Sequence, residues 1–254
     1  SFDTSKVTTM SSMFGDCSAL TGVDLKNFDT SSVKDMSRMF TKCSSLTECK
    51  LNNFNTSSVT NMSSMFSNCT GLTTVDVSSF DTRNVTDISF MFDTCSALKK
   101  LDVRNFNTSS VTYMGQFLQT ATSLEELNIA NFDTLTGGCS GDRFITNNAS
   151  NLKKITLGNN TILNNGYPLA STNNGYDGKW VKVDDPTQIK TDKELFTEEF
   201  DKAGTWVPHQ ATYKLLFAPG TEGTGTMSAA YPVVVEAYTF TPTFVSATHE
   251  LTGF

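Results

Sequence analysis

The tripeptide Phe-Asp/Asn-Thr returns every 26 residues, with its phenylalanines at Phe2, Phe28, Phe54, Phe80, Phe106 and Phe132. Val7, Val33, Val59, Val85 and Val111 keep the same period, and so do Cys17, Cys43, Cys69 and Cys95. A fixed period in this range marks a stacked array, because each unit is too small to bury its own apolar face and must share it with its neighbours. Such arrays present long surfaces and more often bind than catalyse.

The repeat spanning Leu46 to Leu72 shows the pattern. Cys49 and Leu51 alternate with Glu48, Lys50 and Asn52, which predicts a short strand with one buried face. Val59, Met62, Met65, Phe66 and Cys69 then follow at spacings that suit one face of a helix. Ser58 stands where an N-cap would, as do Ser32, Asn84 and Ser110. Asp35 and Asp87 fall three residues later and suit a positive helix end. The expected strands are 22–26, 48–52, 74–78, 100–104, 126–130 and 154–158. The expected helices are 32–43, 58–69, 84–95 and 110–121. The fold class that follows is α/β, a right-handed solenoid with one parallel strand and one helix per 26-residue repeat.

The repeat core Leu-x-x-Val-x-Leu-x-x-Phe resembles the leucine-rich-repeat signature. Met39-Phe40-Thr-Lys-Cys43-Ser-Ser-Leu46 is similar to the BspA-like leucine-rich repeats of bacterial surface proteins. The resemblance covers residues 1 to about 158. It implies a secreted, wall-associated protein of a Gram-positive bacterium with an adhesin-like role, and it names no ligand.

Three segments are expected: 1–158 as the leucine-rich-repeat solenoid, 159–208 as its C-terminal cap and connector, and 209–254 as a small β module. In the cap, Trp180-Val-Lys-Val183 suits a closing strand. Thr191-Asp-Lys-Glu194 is a capping box that opens a short helix through Leu195, Phe196 and Phe200, ended by Gly204. The last segment, from Phe217 through Gly225-Thr-Met227 to Phe254, resembles the β-grasp-like Listeria–Bacteroides repeats. The phase at Ser1-Phe2-Asp3 reads as a piece of a longer protein.

A net charge of −7 with no basic run argues against nucleic acid and anionic membranes as partners. No apolar run approaches the roughly 18–20 residues that span a bilayer. No nucleophile, Walker, Rossmann or metal-ligand motif occurs, so no catalytic residue, metal or cofactor is expected. The Asp/Asn column at 29, 55, 81, 107 and 133 suits turns better than a cation ladder. The column cysteines are expected to be buried and reduced, since stacked helices stand too far apart for disulfides.

Binding, if present, is placed on the outward strand face around Lys100, Asp102, Arg104 and Glu126, with Arg104 as anchor. A solvated face fits these residues equally well. The expected partner is an unidentified protein or glycan of a host or bacterial surface. A passive spacer holding another domain away from the wall is the alternative, and an enzyme ranks third.

Overall fold

Where apolar and polar residues alternate, strands form. β1 (Glu48–Lys50), β2 (Thr74–Asp76), β3 (Lys100–Asp102), β4 (Glu126–Ile129) and β5 (Lys154–Leu157) occupy the expected places in successive coils. A computed structural model describes residues 3–134, 144, 151–162, 176–197, 202–210, 215–216 and 226–227. The chain divides into two compact units, Ser1–Ala211 and Thr212–Phe254. In the first unit β1 pairs with β2, β3 with β4, and β4 with β5, all parallel and one repeat apart, so that Leu101 faces Leu127 and Leu127 faces Ile155. These inward residues are buried while Lys100 and Asp102 beside them are exposed. The strand expected at 22–26 does not form. Gly22 stands there with open space around it, and a glycine brings no side chain to pack.

Among the described residues of the repeats, no helix forms. The expectation of an α/β solenoid with a helix per repeat is overturned, for the only helix among the described residues lies in the cap. At 32–43, 58–69, 84–95 and 110–121 the chain runs instead through linked tight turns. Two kinds of amide alternate along it. Met36, Arg38, Phe40 and Lys42 donate to the carbonyls of Asn61, Ser63, Met65 and Ser67 in the next coil. Met39, Thr41 and Cys43 donate back three residues, to Met36, Arg38 and Phe40. An α-helix would send every amide back four. The turns closed by Met39 and Cys43, and their equivalents in other coils, need a left-handed residue in third place, as type II turns do. Arg38 (φ 56°), Lys42 (60°), Ser64 (55°), Asn68 (61°), Phe90 (58°) and Thr94 (56°) take that conformation.

The composition explains the outcome. Ser, Thr and Asn fill the segment between its apolar positions, and their side chains compete with the helical hydrogen bonds. The residues expected as N-caps bond across coils instead. Ser58 Oγ donates to the Ser31 carbonyl at 2.9 Å, and Asn84 Nδ2 to the Ser57 carbonyl at 2.8 Å. Asp35 and Asp87, expected at helix ends, accept the amides of Ser37 and Ser89 at 2.9 Å as turn-formers.

Inside, like stacks on like. Phe14, Phe40, Phe66 and Phe92 form a column with centroids 5.4–5.5 Å apart and planes within 9°. Phe80, Phe106 and Phe132 form a second, at 6.4 Å. Burying each ring is worth about 1.5–3 kcal/mol. The cysteine column lies between coils: Cys69 Sγ donates to the Phe40 carbonyl at 3.0 Å, and Cys95 Sγ to Phe66 at 3.2 Å. Cys43, Cys49, Cys69 and Cys95 are buried and free. Cys17 is also free but exposed, against expectation, and Met13 of the same coil is likewise uncovered. Cys139 lies outside the described residues.

The cap continues the sheet. β6 (Tyr176–Lys182), β7 (Ile189–Thr191), α1 (Asp192–Thr197) and β8 (Gly204–Gln210) follow β5 in the chain. β8 pairs antiparallel with β5, β6 with β8, and β7 with β6, giving the order β3-β4-β5-β8-β6-β7. Trp180 and Trp206 are fully buried there. The capping box forms, with Glu194 Oε2 accepting the Thr191 amide at 2.7 Å and Thr191 Oγ1 accepting the Glu194 amide at 3.3 Å. The helix is described only to Thr197, and Phe200 lies outside the described residues. Gly204 opens β8 rather than ending a helix.

In the second unit, β9 (Leu215–Leu216) pairs antiparallel with β10 (Thr226–Met227), as a hairpin across the glycine-rich segment requires. The remainder of the expected β module lies outside the described residues.

Candidate binding surface

The candidate residues come together on the strand face, yet they satisfy one another. Lys100 Nζ lies 2.6 Å from Glu126 Oε1 across the β3–β4 pair. Arg104 forks onto Asp102, its Nε 3.0 and 2.9 Å from the two carboxylate oxygens and its Nη2 bonded to Oδ2. The Glu126 carboxylate raises the Lys100 ammonium above its usual range. Hydrogen bonds from Arg104 hold Asp102 below the usual carboxylate range. Asp102 Oδ1 also accepts the Arg104 amide at 3.1 Å, turning the chain at the strand's end as Asp24, Asp76 and Asn128 do in their coils. The four candidate residues thus neutralise one another.

Phe90 and Tyr113 are exposed on the turn side, at 38% and 67%. Phe90 donates its amide to Gly115 and Ile88 to Tyr113, so the two aromatic residues belong to neighbouring coils.

A groove of about 640 Å³ opens at the corner between the strands and the threonine column. Its floor is Phe80 and Phe106, both buried, and it crosses three successive coils. Asp81, Asn107 and Asp133 each occupy the Asp/Asn column there. That column makes turns, as the sequence suggests: Asn107 Oδ1 accepts the Ser109 amide at 2.9 Å and Asp81 Oδ1 the Arg83 amide at 3.2 Å. Arg83 Nε and Nη2 also fork onto the Asp81 carboxylate, at 2.7–3.2 Å. Those bonds lower Asp81 below the usual carboxylate range and raise Arg83. Asn105 Nδ2 donates to the carbonyls of Val77 and Phe80, both at 2.9 Å, and Asn131 Nδ2 to that of Arg104 at 2.5 Å.

Arg83, Asn105 and Asn131 were not expected at a site. The signal was present in the sequence, since Arg83 interrupts a serine column at Ser5, Ser31, Ser57 and Ser109. Among the described residues, no group of three or more His, Cys, Asp or Glu could hold a metal ion. Among them too, no helix is long and apolar enough to cross a membrane.

No curated protein and no solved structure matches the chain. One family model matches residues 1–75 and again 71–138, taking in the repeats whose turns, threonines and phenylalanine columns are described above and more than half of the chain. The chain therefore belongs to the family described as "Mycoplasma protein of unknown function, DUF285".

Proposed function

We propose that this chain is a non-catalytic binding protein of a bacterial cell surface, which adheres to a macromolecule of a host or neighbouring cell. The observation that carries this reading is the groove across three coils. Its side chains are held by turns whose bonds are internal to the array, so a partner meets a surface already ordered, and little entropy is lost on contact. The likeness of the Met-Phe-x-x-Cys repeat to BspA-like surface proteins supports the location, although the helix of that family pattern is replaced here by turns.

A passive spacer is the second reading. The pairing of Lys100 with Glu126 and of Arg104 with Asp102 favours it, since these four residues, neutralised by one another, offer no charge to a partner. Immobilised chain exposed to host-matrix proteins, glycans and whole cells separates the two. Saturable capture of any one supports binding, and no capture at all leaves the spacer.

A further inference from the structure

We propose that the groove over Phe80 and Phe106 holds a neutral oligosaccharide, laid along the stacking direction of the coils. This rests on the binding reading above and gives it a ligand class. The argument is one of uncommitted polar atoms. The Arg83 bonds to Asp81 come from Nε and Nη2, so Nη1 keeps its two N–H donors. Asn107 accepts through Oδ1 and keeps its Nδ2 donors. Asn105 and Asn131 donate through Nδ2 and keep Oδ1 as an acceptor. Unused donors and acceptors thus sit among the residues that line one groove, each on a side chain held by a bond from its other end. Sugar hydroxyls both donate and accept, and neighbouring hydroxyls of one ring match such a row.

Charge selects among ligands of this shape. Asp81 and Asp133 outnumber Arg83 among the lining residues, and the whole chain carries −7. A polyanion would be repelled, and a neutral chain would not. Length agrees as well. Coils joined by parallel ladders lie about 4.8 Å apart, so three coils span roughly 10 Å, room for two or more sugar rings rather than one.

The test is isothermal titration of the full chain with cellohexaose, chitohexaose and mannohexaose, and with a hyaluronan hexasaccharide as the acidic counterpart. At least one neutral hexasaccharide is expected to bind, and the hyaluronan fragment is not. Arg83→Ala should weaken binding at least tenfold, and Ser109→Trp should block it, with the folded far-ultraviolet circular dichroism retained in both. Absence of binding by every neutral hexasaccharide, wild-type affinity in the variants, or tighter binding of hyaluronan would each overturn the proposal. If matrix proteins or cells still capture the chain while the hexasaccharides fail, the groove assignment falls and the binding reading stands. If nothing is captured, both fall.

Discussion

Thr56 bonds to Asp81 of the next coil in both directions: its hydroxyl donates to the Asp81 carbonyl at 3.0 Å and accepts the Asp81 amide at 2.7 Å. The same pair of hydrogen bonds joins Thr4 to Asp29, Thr30 to Asn55, Thr82 to Asn107 and Thr108 to Asp133. These threonines are almost fully buried. The third letter of Phe-Asp/Asn-Thr is therefore a fastener between repeats, and that explains why it keeps period with the phenylalanine.

Thr56→Val keeps the shape and removes the hydroxyl. It leaves the Asp81 amide and carbonyl without their partner in a buried place, which costs about 1–3 kcal/mol. Thr56→Ser keeps the bond and should cost clearly less. Urea denaturation of the two variants checks the difference, and equal losses would show that the methyl group, not the hydroxyl, matters.

Phe90 adopts φ 58°, a conformation that a bulky side chain rarely takes. Glycine relieves it, so Phe90→Gly should hold or raise stability by up to about 1 kcal/mol. In a helix the same change would lower stability by about as much, because glycine is the poorer helix former. Thermal melting gives the sign, and with it the backbone type.

Burial pushes the thiols of Cys43, Cys49 and Cys69 up to about 11, 12 and 12 from an ordinary 9.0. The folded state holds these protons more tightly than the unfolded state. The stability they contribute is whole below pH 9 and is lost as pH rises through the folded values. Each thiol adds about 1.4 kcal/mol of loss per pH unit in that window. Cys49→Val places there the residue found at Val23 and Val75, and should flatten the alkaline slope by that amount. Denaturation midpoints measured at stepped alkaline pH test it. Rapid alkylation at neutral pH should mark Cys17 and spare Cys43, Cys49, Cys69 and Cys95.

The Lys100–Glu126 pair is open to solvent, so screening sets a low limit on its contribution. A double-mutant cycle with alanine at both positions should give a coupling within that limit, vanishing in molar salt. A larger, salt-resistant coupling would mean that the strand face is covered.

Five of the six expected repeat strands, the turn-making Asp/Asn column, the closing strand at Trp180 and the capping box were legible in the sequence. Each rests on a local rule that the structure keeps, such as alternation around Cys49 or the Thr191–Glu194 pair. The helices were misread because a chain of turns also brings Val59, Met62, Met65, Phe66 and Cys69 to one side. Spacing alone does not separate the two. The polar fill does, for Ser63, Ser64, Ser67 and Asn68 are poor helix formers, and Asn68 is well suited to its positive φ. The groove was missed because the Asp/Asn column was read one residue at a time, and Arg83 matters only beside Asn107 and Asn131 of later coils.

The central claim is that amides in the 32–43 segment and its repeats reach across to the next coil. A scalar coupling through the hydrogen bond, measured by NMR on labelled protein, reads this directly. The Phe40 amide nitrogen should couple to the carbonyl carbon of Met65, its acceptor at 2.9 Å. Coupling of that nitrogen to the carbonyl of Met36, four residues back, would mean a helix and would contradict the account.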